Sequence, residues 1–402
     1  IILAGYGVLT WQQCYVYGNM ETLWRDTLAK HPNSWMAYNN LGSAIQWEGK
    51  SDEAAEYYRE ALRLNPDFYE AYNNFGTILF HQGKFDEAMS YFLKTIRLKP
   101  GYVEAYYNIG LMMEAQSKID EAIEYYGIAV KMRPYYAQAH YSLGNVLRIR
   151  GRLDEAISHY LKAVEMKPTS DSGHFSLAVC LNLKGKSEEA ISHFRQAIRL
   201  NPGYSEAHYN LGIALESQGK SGEAVEHYRK AIEIDPNYAE AHYNFGNVLK
   251  GEGKLDAAAE EYQQVLRIKP DYVDAHNNLG NILSAEGKLN EAVSHFRKAL
   301  EGKPDSVEIN NNLAWILATA PDAKVRSANE AVVLAERAAE LTKHNNAVIL
   351  VTLSAAYAAA GRIEEAVTVG QTAFSLAAAD KNERLVNQIR RQLEDYEKLK
   401  RR

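Results

Sequence analysis

The sequence predicts an all-α solenoid in which one helical hairpin is repeated along the chain. Nine of its ten prolines recur at an interval of 34 residues. An interval of this size indicates stacked hairpins, because a single hairpin cannot bury its own apolar face. The nine prolines are Pro32, Pro66, Pro100, Pro134, Pro168, Pro202, Pro236, Pro270 and Pro304.

Two positions with small residues keep the same interval. When each repeat is numbered so that its proline is position 32, eight full repeats span residues 35–306. Position 20 is alanine in all eight, and position 8 is glycine in all but one, where Ala178 replaces it. Small side chains let two helix backbones approach closely, while large apolar residues at positions 7, 11, 24 and 28 fill the space between hairpins.

Each repeat also carries signals for its own turn and helix ends. A Gly-Lys or Gly-Arg pair at positions 15 and 16, as in Gly49-Lys50 and Gly151-Arg152, predicts the turn after the first helix. Asp or Glu at positions 18 and 19 suits the N-terminus of the second helix. The proline at position 32 ends that helix.

Through these signature positions, residues 35–306 resemble the tetratricopeptide repeat family. The resemblance implies a right-handed superhelix of antiparallel helix pairs. It also implies that the first helices line a concave groove and that the second helices lie on the convex side.

After residue 306 the repeat continues in a degenerate form. Residues 307–380 predict two further hairpins, the first with a turn lengthened at 320–324. Residues 381–402 predict a charged amphipathic helix that covers the last apolar surface and caps the C-terminus. Its apolar side consists of Leu385, Ile389, Leu393 and Tyr396.

The N-terminal segment, residues 1–34, differs from the repeats. Residues 1–20 contain no charged side chain, and the apolar run at 1–9 is too short to span a bilayer. We expect an apolar segment followed by a degenerate repeat helix that ends at Pro32. Burial of its apolar side chains against another copy is the predicted mode of self-association. These side chains are Ile1, Ile2, Leu3, Val8, Leu9 and Trp11.

The same segment has a second resemblance. The strings Thr10-Trp11, Glu21-Thr22-Leu23-Trp24, His31-Pro32 and Asn39-Asn40-Leu41-Gly42 are similar to a junction in polytopic glycosyltransferase-like membrane proteins. In those proteins the junction joins the last membrane span to the repeat domain. The resemblance implies a membrane-anchored precursor with catalysis upstream of the repeats. It favours an extracellular or periplasmic location over a cytoplasmic one, although the sequence leaves the compartment unknown.

Position 6 supplies a candidate peptide-binding surface. It is asparagine in seven of nine first helices, with Ser142 and Ser176 between them. A primary amide can pair with the backbone of an extended peptide, or it can satisfy polar groups between helices. The pattern resembles the asparagine ladder in O-linked N-acetylglucosamine transferases, which implies the first role. The residues are Asn40, Asn74, Asn108, Asn210, Asn244, Asn278 and Asn312.

Aromatic residues at position 5 add to this candidate surface. They would supply amphipathic contacts in the middle of the groove, although repeat packing explains them equally well. These residues are Tyr107, Tyr141, Phe175, Tyr209 and Tyr243.

Nine of the twelve histidines fall in two columns, at positions 4 and 23. Equivalent positions in successive repeats lie about 10 Å apart, which is too far for two histidines to share one ion. The sequence therefore predicts no metal site and no cofactor. The columns are His140, His174, His208, His242 and His276 at position 4, and His159, His193, His227 and His295 at position 23.

Charge and composition argue against several classes of function. The net charge of −6, without a basic stripe, argues against a nucleic-acid partner. Cys14 and Cys180 lie far apart without metal-ligand spacing, and Cys180 is expected to be a buried free thiol. No nucleophile and base stand out from the repeat pattern, so the chain is not expected to be an enzyme.

Three functions therefore compete, all with a protein or peptide partner. The first is a structural scaffold that assembles end to end into an array or filament, because a repeat stack with an apolar end favours head-to-tail contacts that do not close. The second is an adaptor that binds peptides through the asparagine column. The third is an extracytoplasmic domain of a membrane glycosyltransferase-like protein. We favour the first.

Overall fold

A computed structural model describes residues 20–400, and these residues contain helices and no strand. The chain divides into two compact units between Pro202 and Gly203. The predicted self-association residues Ile1, Ile2, Leu3, Val8, Leu9 and Trp11 lie outside the described residues, as does Cys14. The prediction of an all-α fold of repeated hairpins is confirmed.

The first unit contains eleven helices among its described residues. A single helix precedes five hairpins, each with a first helix of 13 residues and a second of 14. The helices are α1 (Met20–Lys30), α2 (Trp35–Trp47), α3 (Ser51–Leu64), α4 (Tyr69–His81), α5 (Phe85–Leu98), α6 (Val103–Ala115), α7 (Ile119–Met132), α8 (Ala137–Ile149), α9 (Leu153–Met166), α10 (Asp171–Leu183) and α11 (Ser187–Leu200).

The second unit also contains eleven helices among its described residues. Five hairpins are followed by one long final helix. The helices are α12 (Ser205–Glu216), α13 (Ser221–Ile234), α14 (Ala239–Gly251), α15 (Leu255–Ile268), α16 (Val273–Ala285), α17 (Leu289–Gly302), α18 (Val307–Thr319), α19 (Ala328–Leu341), α20 (Ala347–Ala359), α21 (Ile363–Ala379) and α22 (Glu383–Lys400).

The turn inside each hairpin uses a left-handed backbone conformation at position 15. Glycine takes it at φ of 73–83° in seven of the eight regular repeats. In the remaining repeat Ser117 takes it at φ 59°. Glycine is favoured here because it has no Cβ to clash with the following carbonyl. These turns are where the sequence predicted them.

The core of each hairpin is a contact between position 8 and position 24. The aromatic ring at position 24 is fully buried in all eight regular repeats. A Cβ placed on Gly110 would lie 2.5 Å from a ring carbon of Tyr126, and one placed on Gly212 would lie 2.5 Å from a ring carbon of Tyr228. The two helices therefore approach as closely as a bare backbone and a ring allow.

The last repeats depart from the regular pattern. The longer turn after α18 is held by Arg326, whose Nη1 donates to the carbonyl of Ala320 at 3.0 Å. Helix α20 is buried along residues 349–357. Helix α22 packs on α21 through its apolar side, where Ile389 and Tyr396 are buried. It lies in the part of the chain for which a capping helix was predicted, and its capping role stays a prediction. Among residues 20–400, every helix is too short or too polar to cross a membrane.

Candidate functional site

Asparagines join the first helices of neighbouring repeats in the first unit. The Nδ2 of Asn74 donates to Oδ1 of Asn39 at 3.1 Å. The Nδ2 of Asn108 donates to Oδ1 of Asn73 at 2.9 Å. Each bond links position 6 of one repeat to position 5 of the repeat before it. The amide of Asn40, in the first regular repeat, accepts from Nδ2 of Asn39 at 3.2 Å.

The serines at position 6 take part in the same linkage. The hydroxyls of Tyr107 and Ser142 lie 3.4 Å apart, as do those of Tyr141 and Ser176. The serines therefore do not interrupt the row of bonds, because a tyrosine at position 5 reaches the shorter side chain.

The second unit repeats this linkage with tyrosine as the acceptor. The Nδ2 of Asn244 donates to the hydroxyl of Tyr209 at 3.1 Å, and that of Asn278 donates to the hydroxyl of Tyr243 at 3.5 Å. Burial raises the pKa of Tyr209 to about 12, so its hydroxyl stays protonated. These four side chains stabilise the stacking of hairpins.

The two remaining asparagines of the column are held differently. Asn210 donates to the backbone carbonyl of Glu206 in its own helix at 2.8 Å. Asn312 donates to Oδ1 of Asn281 at 2.9 Å. Every asparagine of the column thus has a hydrogen bond within its unit. The amide groups of Asn108 and Asn278 each donate twice, so a peptide contact at these two residues would replace one of the existing bonds. The peptide-binding role of the column stays a prediction.

The second unit contains a cavity of about 410 Å³ lined mainly by the first helices α16, α18 and α20. Cavities of roughly 300–1,000 Å³ are typical of ligand sites. None of the lining residues is charged. They are Asn281, Ser284, Phe296, Asn311, Asn312, Trp315, Ile316, Val348, Val351, Thr352, Leu385 and Gln388.

One polar atom in the wall of this cavity lacks a partner. The Oδ1 of Asn311 is buried and accepts no hydrogen bond from the described residues. A buried acceptor left unpaired costs about 1–3 kcal/mol, so a ligand N–H that reached it, after the covering side chains had moved, would recover that energy. Beside it, Trp315 is half-buried and Val348 is 52% exposed. The site therefore suits an apolar group next to a hydrogen-bond donor.

Of the site residues predicted from sequence, only Asn312 lines this cavity. The apolar lining residues Trp315 and Val348 were missed, because they lie in the degenerate repeats. Leu385 was predicted only as part of the apolar side of the final helix. A tryptophan in the middle of a first helix, found only at Trp315 among the described first helices, was the available signal.

A larger cavity, of about 750 Å³, lies between α21 and α22. Phe374 and Leu393 line it together with charged side chains such as Arg390 and Glu394. The smaller cavity is the better candidate site, because only there does a buried polar atom lack a partner among the described lining residues.

The two histidine columns meet inside each repeat. Position 4 on the first helix faces position 23 on the second, and the Nδ1 atoms of the two rings lie 2.8–3.0 Å apart in four repeats. The prediction of no metal site considered only equivalent positions in successive repeats and missed this pairing. The pairs are His140 with His159, His174 with His193, His208 with His227, and His276 with His295.

Backbone carbonyls set the tautomer of these pairs. The Nε2 of His140 lies 3.1 Å from the carbonyl oxygen of Pro134. The Nε2 atoms of His174 and His276 lie in the same way against the carbonyls of Pro168 and Pro270. A carbonyl only accepts, so Nε2 of the first histidine carries the hydrogen and its Nδ1 is the acceptor. The Nδ1–H of the second histidine therefore donates to it.

Burial makes these histidines harder to protonate. It lowers the pKa of His140, and it lowers the pKa of His159 to about 4, with the nearby His140 and Lys162 acting in the same direction and Glu155 opposing them. Burial also lowers the pKa of His174, His193 and His295. In the remaining repeat, burial opposes protonation of His242, but the hydrogen bond and charge of Glu261 raise its pKa.

We expect acid to destabilise the protein through these pairs. In the pairs His140–His159 and His174–His193 both folded pKa values lie below the ordinary value, so the unfolded chain binds more protons as the pH falls below about 6.5. The free energy of unfolding should then fall by about 1 kcal/mol for each pair between about pH 7.5 and about pH 5.5. Urea unfolding followed by circular dichroism in EDTA measures this slope.

The control variant is H140Y/H159Y, which restores the tyrosine pair that Tyr38 and Tyr57 form in an earlier repeat. This variant should reduce the pH dependence of the free energy of unfolding by the share of one pair. His242 works in the opposite direction, because its contribution is present below about pH 6.5 and is lost as the pH rises through its raised folded pKa. A stability that does not change over this range would contradict the expectation.

Family models of tetratricopeptide repeats match the chain over more than half of its length. Models described as "Tetratricopeptide repeat" match residues 48–103, 113–171, 159–192 and 273–305, and one described as "TPR repeat" matches 181–219, 217–253 and 246–285. No curated protein sequence matches the chain at a significant level.

Several solved structures are similar to parts of the chain. YrrB, described as a TPR protein with an unusual peptide-binding site, is 26% identical over 46% of this chain and 96% of its own, with a TM-score of 0.44. MamA is 28% identical over 40% of this chain and 95% of its own, with a TM-score of 0.39. PilF of Pseudomonas aeruginosa is 20% identical over 52% of this chain and 94% of its own, with a TM-score of 0.47. At these TM-scores the family assignment rests on the repeat models alone.

Proposed function

The chain belongs to the tetratricopeptide repeat family, whose members bind proteins or peptides, and we propose from this that it is a non-catalytic scaffold that assembles end to end. In this proposal the cavity lined by Trp315 and Asn311 receives the apolar segment 1–17 of a second copy. The uncharged cavity next to an unpaired acceptor is the observation that carries the proposal.

The chemistry of the segment matches that of the cavity. Residues 1–17 contain no charged side chain, and no lining residue of the cavity is charged. Ile2, Leu3 and Leu9 offer apolar groups of the size that fills a site beside Trp315 and Val348. A backbone N–H of the segment would donate to Oδ1 of Asn311 once the side chains that cover this atom move aside. Entry of a charged peptide would instead remove a charge from water without supplying a partner.

Such a contact joins two different surfaces of the chain, so it can lead to an open assembly. The donating segment is at one end of the chain, and the receiving cavity is in the last three first helices of the second unit. A contact between two different surfaces of the same molecule is heterologous, and it produces a filament when the rotation does not close into a ring. Asn312 belongs both to the predicted asparagine column and to the lining of this cavity.

Removing residues 1–17 tests the proposal. The full chain should form assemblies at micromolar concentration in light scattering, and the truncated chain should be monomeric, because burial of its apolar side chains drives the contact. A full chain that is monomeric, or a truncated chain that still assembles, would refute end-to-end assembly.

A synthetic peptide of residues 1–17 tests the receiving site directly. We expect it to bind the truncated chain, and W315A to weaken the binding by about 2 kcal/mol, roughly 30-fold, because truncation of an aromatic anchor removes its apolar contacts. Fluorescence anisotropy of the labelled peptide measures this. The matched control is W47A, which truncates a tryptophan that is 92% exposed in the first unit. Equal binding to W315A and W47A would place the peptide elsewhere.

Two other functions remain as outcomes of these experiments. If the chain is an adaptor for other peptides, the full chain should be monomeric. Triple substitution of Asn210, Asn244 and Asn278 by alanine should then weaken the binding of such a peptide. A repeat domain of a membrane glycosyltransferase-like protein is supported by the resemblance of the strings between residues 10 and 42. In that case the apolar segment would lie beside a membrane-embedded domain instead of a second copy.

A further inference from the structure

We propose that the four histidine pairs, one in each of four repeats, bind divalent transition-metal ions of the Ni²⁺ or Cu²⁺ type. This inference is independent of the proposed assembly, because it uses side chains inside single repeats. Two imidazole nitrogens face each other in every pair, at 2.8–3.0 Å. Imidazole is a preferred ligand of Ni²⁺, Cu²⁺ and Zn²⁺.

The spacing of the nitrogens is compatible with two ligands of one ion. With metal–nitrogen bonds of about 2.0–2.1 Å, two ligands at a right angle are about 2.8–3.0 Å apart, whereas two tetrahedral ligands are about 3.3–3.4 Å apart. The observed Nδ1 separations are those of the hydrogen bond inside each pair, and an ion that replaces this bond at a right angle would leave the two nitrogens at a similar separation. Square-planar and tetragonal sites are the geometries of Cu²⁺ and Ni²⁺.

The surroundings of the first histidine resemble those of a metal ligand. A ligating histidine usually donates its other ring N–H to a carbonyl or carboxylate, which fixes the ring and leaves one lone pair free. The Nε2–H of His140, His174 and His276 donates to a proline carbonyl in this way. The Nδ1 lone pair of the first histidine is therefore already directed toward its partner.

The second histidine needs only a change of tautomer to become a ligand. In His295, for example, the proton moves from Nδ1 to Nε2, so that both Nδ1 lone pairs point to the ion and no proton is lost overall. The ring must also turn so that the two lone pairs converge, and the χ2 torsion of histidine is broad. His295 is only partly buried, which gives an ion and its water ligands a route to the pair.

Neighbouring charges rank three of the four sites. Glu155 lies near the first pair and Glu189 near the second, and both attract a cation, but Lys162 near the first pair and Arg199 near the second repel it. The charged neighbour of the pair His276 and His295 is Glu291, one turn before His295, and it attracts a cation. We expect this pair to be the tightest site. Among residues 20–400, no three candidate ligands lie close enough to form a complete protein site, so water supplies the other positions.

Native mass spectrometry and calorimetric titration of the full chain with NiCl₂ test the inference. We expect up to four ions in a tight class and a rise in the melting temperature with Ni²⁺ that EDTA reverses, since ligands that bind the folded state stabilise it. The variant H276Y/H295Y should lose the tightest ion. The variant H159Y/H193Y/H227Y/H295Y should weaken the whole class by about tenfold or more, since one ligand is removed from each pair.

The control is H31N/H81N/H344N, which removes the three exposed histidines outside the columns. It should keep the tight class and the rise in melting temperature. Tyrosine pairs at Tyr38 with Tyr57 and at Tyr72 with Tyr91 show that the fold accommodates tyrosine at both positions. If the fourfold variant is unfolded by circular dichroism, H276Y/H295Y decides the result. Unchanged Ni²⁺ binding in that variant, or loss of binding in the control, would overturn the inference.

Discussion

Replacing Tyr126 with alanine is expected to lower the free energy of unfolding by about 3–5 kcal/mol, the range for removal of a buried aromatic side chain. Its ring is fully buried and contacts the backbone of Gly110. Its hydroxyl donates to Oε2 of Glu114 at 2.7 Å. The substitution therefore leaves a cavity between two helices and removes a hydrogen bond. Urea unfolding followed by circular dichroism measures the loss.

The matched control for this prediction is Y126F. It keeps the ring and removes only the bond to Glu114, which is worth about 1.5–3 kcal/mol for a charged acceptor and less where the carboxylate is solvated. Phenylalanine already occupies the same position at Phe92, Phe194 and Phe296. Y126F should therefore be clearly more stable than Y126A. A loss below about 1 kcal/mol for Y126A would mean that neighbouring hairpins close the cavity without cost.

The second large effect is expected at Gly212, where valine should destabilise the protein by about 3 kcal/mol or more, at or above the upper end of the range for overpacked cores. A Cβ there would lie 2.5 Å from Cε1 and 2.8 Å from Cδ1 of Tyr228, a ring with no exposed surface. Neither the ring nor the backbone can move away without disturbing the next hairpin. Thermal unfolding of G212V and the wild-type chain measures the difference.

A double-mutant cycle identifies the cause of this second effect. G212A adds only the Cβ and should cost about 1–3 kcal/mol in the wild-type background. In a Tyr228→Leu background the same substitution should cost less, since the shorter side chain leaves space for the methyl group. Equal costs in both backgrounds would show that the ring is not the obstacle. Ala178 shows that one repeat tolerates a methyl group at this position.

The predicted features that depend on local sequence agree with the structure. The turn glycines such as Gly49 were recognisable because a left-handed backbone suits glycine. The acidic residues after the turn were recognisable because they complement the helix N-terminus. The longer turn at 320–324 was visible as a break in the repeat. In each case the physical cause acts within a few residues of the chain.

The contacts that define the candidate sites join residues at different positions of the repeat. His140 meets His159, which is 19 residues away, and Asn74 meets Asn39, which is 35 residues away. Comparison of equivalent positions, 34 residues apart, shows columns of one residue type but not which column faces which. That choice follows from the direction of side chains on packed helices.

The sequence by itself determined the repeat family and the all-α fold of repeated hairpins, because a strict repeat imposes the same local and nearest-neighbour interactions on every copy. Only the tertiary structure decided the histidine pairs, the bonds of the asparagine column and the cavity beside Trp315. The cavity brings together residues from Asn281 to Gln388, on five helices, in a part of the chain where the repeat is irregular. Side chains that converge from several irregular elements leave no periodic signal in the sequence, because their contacts depend on how the helices pack.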